Sequence, residues 1–256
     1  MRLEFIASGP ALVVESARRV LVAADLHLGI EADMARHGLH FTSRSKERQE
    51  RLLGCIDETD PDLLVLLGDV KHSIPLTTRQ EFRELPSVIA SFRKKITLRI
   101  LPGNHDTGLE RFLDPDELLP INGTLIDGVG YIHGHTYPSP DLAGHLIVAG
   151  HHHPLVSLMD EVGCSLRAPA YLFAHLDTGC LRLVKTGCAS TERTRVLFMP
   201  AFNEYSGYDI RKIADAPFSP LSRCMDRESA EILLADGTFV GPISAVETDE
   251  ERHAAG

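Results

Sequence analysis

The chain has 256 residues, 43% hydrophobic and 24% charged, the proportions of an ordinary globular protein long enough for one substantial α/β domain. Its formal net charge of −10 argues against broad wrapping of duplex DNA, which needs a strongly basic face. A nucleic-acid substrate stays open, because divalent metals would add positive charge locally. Five cysteines, an odd number without a C-x-x-C pair, predict neither a disulfide framework nor a zinc site. Reduced thiols, a start without a signal-peptide core and no apolar run near the roughly 20 residues of a membrane span predict a soluble, cytoplasmic protein with no membrane partner.

In chain order, Leu3–Ile6 and Ala11–Val14 read as short strands joined by a turn at Ser8-Gly9-Pro10. Arg19–Ala24 is apolar after its first residue, as suits a strand covered on both faces. Ser43–Cys55 (SRSKERQERLLGC) reads as a charged helix and Asp62–Leu67 as a second buried strand. Thr78–Lys94 has helical spacing in Phe82, Leu85, Ile89 and Phe92, with Pro86 expected to kink or break it. Ile96–Leu101 is the third strand, and the alternation predicts parallel βαβ units. Beyond Asp106, Val129–His133, His145–Ala149, Leu155–Met159, Cys164–Arg167, Tyr171–Leu176, Cys180–Lys185 and Arg195–Pro200 lie too close together for intervening helices. They predict antiparallel ribbons in a second sheet, face to face with the first. The whole reads as one domain over 1–246, with an acidic tail, 247–256, expected to fray.

Five polar stretches sit in or after these apolar runs: Ala24-Asp25-Leu26-His27, Gly68-Asp69-Val70-Lys71-His72, Gly103-Asn104-His105-Asp106, His133-Gly134-His135 and Gly150-His151-His152-His153. A fold that gathers those strand ends crowds imidazoles and carboxylates into one small volume. Cations are the natural occupants of such a cluster. Asp25 and His27, two apart on an extended chain, can point the same way.

The ordered set D-x-H, GD-x-x-H, GNHD, HG, GH-x-H resembles the calcineurin-like metallophosphoesterases. The resemblance implies their α/β fold, a four-layer αββα sandwich of two mixed β-sheets flanked by helices, and two divalent metal ions. By carry-over, Asp69 bridges the metals. Asp25, His27 and His153 complete one site, while Asn104, His133 and His151 complete the other. Mixed Asp, Asn and His ligation suits Mn first, with Fe, Ni, Co or Zn as alternatives. The same carry-over makes Asn104 and His105 catalytic, with Asp106 orienting His105 and keeping it protonated. His72 and His135 are candidates for supporting the metals or binding substrate. His152 alternates with two ligands and is expected to point away.

Asp25–Ile30, Gly150–Pro154 and the stretch FMPAFNEYSG (Phe198–Gly207) are also similar to the SbcD-related phosphoesterases of archaea and the ligase-associated PdeM type of bacteria. That closer resemblance implies hydrolysis of phosphodiesters, in single-stranded nucleic acid or nucleotides, and DNA-repair partners. Nothing after Gly207 matches the length of the DNA-capping domain of full SbcD nucleases, so processive duplex digestion is not expected. The alternatives are a phosphomonoesterase with the same metal core and a non-catalytic scaffold. The scaffold is disfavoured because no ligand position is lost. Arg44, Lys46, Arg48 and Arg51 read as a solvated helix face rather than a guide for an anionic strand. Phe198, Phe202, Tyr205 and Tyr208 read as core or loop anchors rather than base-stacking platforms.

Overall fold

The computed structural model describes residues 1–159, 165–183 and 193–246. Strands β1 (Arg2–Ile6), β2 (Ala11–Glu15), β3 (Arg19–Ala23), β4 (Leu63–Leu66) and β5 (Thr97–Ile100) form the first sheet in that order. The first three pair antiparallel; β3, β4 and β5 run parallel. Helices α1 (Ile30–Arg36) and α2 (Ser45–Thr59) lie between β3 and β4, and α3 (Arg79–Arg93) precedes β5. A capping box of Thr78 and Glu81 starts α3. Contrary to expectation, α3 runs through Pro86 without a break. Leu85, Val88, Ile89 and Phe92 bury its inner face, and that packing outweighs one missing backbone hydrogen bond.

The second sheet collects β6 (Thr124–Ile126), β7 (Val129–Ile132), β8 (Leu146–Ala149), β9 (Pro154–Met159), β10 (Ser165–Leu176), β11 (Arg195–Phe198) and β12 (Tyr208–Asp209) in the order β12-β9-β10-β11-β8-β7-β6. Strands β13 (Met225–Leu234) and β14 (Phe239–Pro242) extend it from β10. The expected antiparallel ribbons make up only part of this sheet, because β7, β8 and β11 are parallel neighbours and β12 runs parallel to β9. The crossover from β7 to β8 needs no long helix: one short turn, Pro140–Leu142, drops Leu142 into the core. Two expected strands also fuse into β10, which pairs with β9 up to Pro169 and with β11 from Leu172 onward. Residues 178–182 form a turn where the Cys180–Lys185 strand was expected, its apolar pattern arising from Leu181 and Leu183 entering the core. The rest of that stretch, Cys164 and the 247–256 tail lie outside the described residues.

Period-two alternation sets the layers. Val13, Leu21, Ala23, Leu64 and Leu66 face α2 and α3, meeting Leu52, Ile56, Val88 and Phe92. Leu12, Val14, Val20, Val22 and Val65 face the second sheet, meeting Val129, Tyr131, Val148 and Leu197. That sheet's outer residues, among them Ile132, Ile147, Leu172 and Val196, lie under Ile210 and Ile213 of α4 (Ile210–Asp215) and Leu221 of α5 (Pro220–Arg223). The result is the expected four-layer α/β sandwich of two mixed sheets. No helix among the described residues is long and apolar enough to cross a membrane.

Cysteine pairing departs from expectation. Cys180 and Cys224 are disulfide-bonded, with Cα atoms 5.6 Å apart, and Cys55 is free and buried. An odd cysteine count says nothing about any one pair, and folding brings these two together across 44 residues. The reduced-thiol argument for a cytoplasmic protein therefore no longer stands. Breaking this loop with reductant or Cys180→Ser should lower unfolding free energy by about 2–4 kcal/mol. A urea midpoint that reductant leaves unmoved would show that the bond constrains nothing.

Candidate metal centre

The parallel strands deliver their carboxyl ends to one edge of the sandwich, where a crevice forms in open α/β sheets. Asp25 and His27 follow β3, Asp69 follows β4, Asn104 follows β5, His133 follows β7, and His151 and His153 follow β8. The loops after β3, β4 and β8 turn sharply at these residues. Asp25, His27, Asp69, His151 and His153 have φ of 58°, 45°, 46°, 69° and 46°, in the left-handed region that non-glycine residues avoid. Such strain costs about 1–3 kcal/mol per residue and persists where surroundings over-determine it. Gly103 shows how tight the fit is: a Cβ there would strike the Asp69 carboxylate.

The side chains converge. Asp25, His27, Asp69 and His153 bring one ligand atom each to within 4.8 Å of one another, and so do Asp69, His133 and His151; the imidazole trio His27, His72 and His105 meets the same spacing without a carboxylate. Asp69 belongs to both carboxylate-bearing groups. His153 Nε2 lies 3.1 Å from Asp25 Oδ1, and His133 Nε2 lies 3.5 Å from Asp69 Oδ1 and 3.2 Å from Asn104 Oδ1. His133 Nδ1 donates to the Leu67 carbonyl at 2.7 Å, so Nε2 is the nitrogen turned toward the cluster. The His151 amide donates to both Asp25 oxygens, at 3.2 and 3.0 Å.

The GNHD loop corrects one expectation. Asp106 does not orient His105; it is buried, accepting from the Gly103 and Lys71 amides at 2.8 and 3.1 Å. His105 Nδ1 instead donates to the His72 carbonyl, and the His105 amide donates to Asp69 Oδ1 at 2.9 Å. Adjacency in sequence suggested a side-chain pair, whereas the turn gives the two side chains different partners. His105 stacks on His72 with ring centroids 5.2 Å apart. His135 lies 5.1 Å, ring to ring, from His133, with a buried Nδ1 that has no hydrogen-bond partner. His152 points away as expected, donating to the Gly150 carbonyl and accepting from Ser219 Oγ at 2.7 Å.

Several residues named from the sequence have supporting roles that it did not indicate. Asn203 Nδ2 donates to the Leu26 carbonyl, and the Phe202 and Asn203 amides donate to the Ala24 and Asp25 carbonyls, so the FMPAFNEYSG stretch braces the D-x-H loop. Arg48 is not on a solvated face: fully buried, it pairs with Glu31 at 2.7 Å and Glu204 at 2.9 Å, tying α2 to α1 and to this brace. Phe198 and Phe202 are core residues.

Burial and like charge shape the titration of the site. Burial alone would raise Asp25, but His153, His133 and His27 outweigh it and hold its carboxyl low. Burial and the Asp25 charge raise Asp69 despite His133. Burial and Asp69 push Asp106 up to about 6. Burial with neighbouring imidazoles drives His151 down to about 2 and His135 to about 4, and depresses His27. Neutral imidazoles with open lone pairs are what a metal requires. His153 is the exception: burial would lower it, but the Asp25 carboxylate 3.1 Å from its Nε2 outweighs that and raises it, so a cation bound there would take the place of that proton. The donor set of carboxylate oxygens, an amide oxygen and imidazole nitrogens fits two divalent cations sharing Asp69.

Two cation groups joined by one carboxylate define the class of this site, a candidate dinuclear metal centre. The profile of the calcineurin-like phosphoesterases matches residues 18–176, and the chain belongs to this family of metal-dependent hydrolases of phosphoester bonds. Among solved structures, the Pseudomonas putida nuclease MPE shares the fold at 20% identity, over 93% of this chain and 99% of its own, with a TM-score of 0.55. Yfce, a phosphoesterase from E. coli, is 18% identical over 55% of this chain and 73% of its own, with a TM-score of 0.35. No curated protein sequence matches the chain.

Asp106 should therefore behave as a loop brace. Asp106→Ala would orphan two buried amides at about 1–3 kcal/mol each. Denaturant unfolding of the metal-free variant should show that loss, and wild-type stability would overturn the assignment.

Proposed function

We propose that the chain is a dinuclear-metal phosphodiesterase acting on single-stranded nucleic acid or nucleotides, of the SbcD-related and ligase-associated PdeM type, with partners in DNA repair. The observation that carries the reading is Asp69, common to both cation groups, with His105 beside it on the partly exposed side of the site. The P. putida neighbour is a nuclease, which supports a nucleic-acid substrate. Asp25, His27, Asp69 and His153 would hold one ion, and Asp69, Asn104, His133 and His151 the other. Manganese is the leading choice, with iron, nickel, cobalt or zinc also suited to these donors. Such a pair supplies a phosphate clamp and lowers the pKa of water at the site.

The chain's own residues do the rest. Asn104 turns its amide oxygen toward His133 Nε2, a placement suited to a ligand, and its Nδ2 is the atom that could donate to charge developing on the phosphate. His105 gives its Nδ1 proton to the His72 carbonyl, so Nε2 is the nitrogen that can carry a proton to the leaving oxygen. His135, with its unpartnered Nδ1, is a candidate contact for the phosphate. The buried walls around Asp25 and Asp69 keep bulk water from screening these charges.

Rates on bis-p-nitrophenyl phosphate and p-nitrophenyl phosphate, with each metal in turn and alongside single-stranded DNA and RNA, test the reading. The diester should be cleaved faster, by at least about tenfold, and a monoester preference would make the chain a phosphomonoesterase. Absence of turnover from protein shown to be metal-loaded would favour a scaffold. His105→Ala should keep both metals while kcat falls by roughly 10²–10⁴, the usual worth of a positioned acid. The loss should be smaller for p-nitrophenolate than for the alkoxide leaving groups of DNA. Equal losses would assign His105 to phosphate positioning, and loss of one metal equivalent would make it a ligand.

A further inference from the structure

The two ring nitrogens of His27 face different neighbours. Nε2 lies 3.8 Å from Asp69 Oδ2, on the side of the cation groups. Nδ1 lies 3.2 Å from Nδ1 of His72, close enough for a hydrogen bond. An N···N contact of this kind needs one proton and one lone pair, so one ring donates and the other accepts. If His72 donated, the proton of a neutral His27 would sit on Nε2 and block the face that a cation needs. If His27 donates, Nε2 is open, and the proton of a neutral His72 sits on its own Nε2. That nitrogen faces the Asp33 carboxylate of α1, 3.7 Å away. Only the second arrangement serves all three residues.

We infer that His72, backed by Asp33, is a positioning residue that accepts the His27 Nδ1 proton and so sets the tautomer in which His27 can bind metal. Hydrogen bonding at the far nitrogen commonly orients a ligand imidazole and raises its basicity. Here the acceptor is a second imidazole, in place of the carboxylate or carbonyl more usually found. The same residue serves the site twice, because its backbone carbonyl accepts from His105 Nδ1 while its ring stacks on the His105 ring. The two roles are separable, since truncating the side chain leaves the carbonyl in place. Its position is independently fixed: the His72 amide bonds Glu81 Oε1 at 3.0 Å and the Leu28 carbonyl at 3.1 Å.

The inference rests on the metal-centre reading for its consequence, but the tautomer can be read without metal. Long-range ¹H–¹⁵N correlation spectra of the metal-free protein, with His27 assigned through His27→Gln, should show the pattern of an Nδ1–H ring. An Nε2–H pattern would overturn the inference. Calorimetric titration with Mn²⁺ then supplies the second arm. Wild type should bind two equivalents, and His72→Ala should weaken one of them 10–100-fold with the other unchanged. His72→Gln, whose side-chain oxygen can accept the same proton, should recover most of that loss, which a purely structural role would not do. Unchanged affinity in His72→Ala would overturn the inference. So would three equivalents in wild type falling to two in the variant, which would make His72 a ligand. A wild type that binds no Mn²⁺ yet shows the Nδ1–H pattern would sink the metal-centre reading and leave the tautomer assignment standing.

Discussion

Everything at this site answers to one electrostatic constraint: two carboxylates, Asp25 and Asp69, are buried at 0% and 2% exposure within reach of the same imidazoles. Removing such groups from water is costly unless opposite charge or donors replace it. His133 stands 3.7 Å from Asp25 and 3.5 Å from Asp69, and the His151 and His105 amides donate to the two carboxylates. These contacts compensate part of the charge, but the imidazoles other than His153 lean toward their neutral forms wherever a shift is evident. A surplus of buried negative charge among neutral nitrogen donors is the physical definition of a cation site.

Holding that surplus in place requires backbone conformations that the chain would not adopt unaided. Five of the converging residues have positive φ without being glycine. The strain is concentrated in the residues that bear the chemistry, while the strands beneath them are regular and largely buried. The FMPAFNEYSG stretch contributes by capping the β3 loop through backbone bonds to Ala24 and Asp25. Arg48, bonded to both Glu31 and Glu204, locks the first helices onto that brace. A buried pair of this kind is weak evidence for net stability, but removing one partner is costly because it strands a charge.

The two loops that follow β4 and β5 also act on each other. The Asp106 carboxylate holds the Lys71 amide, and the His72 carbonyl holds the His105 ring. Each loop therefore supplies a constraint that the other lacks, and His72 and His105 are set by one shared framework. This coupling makes the GD-x-x-H and GNHD stretches a single unit in space, although residues 73–102 separate them along the chain.

The sequence alone determined the motif residues, the parallel strands that carry the first three motifs and the layered α/β class. These follow from local rules: short apolar strands, helical spacing in α3, and chemistry-bearing residues at strand ends. It also indicated that His152 would turn away between two ligands. Tertiary structure decided the rest. Parallel pairing of β7, β8 and β11 depends on which strands share a face, and hydrophobic alternation is the same for either direction. Continuity of α3 through Pro86 came from packing on the sheet. The Cys180–Cys224 pair depends on a distance that no cysteine count contains. Asp106 bracing a loop, and His72 and Asp33 standing behind His27, are relations between side chains from separate loops. Their orientation is set by positive-φ turns and close backbone approach, which residue spacing along the chain does not encode.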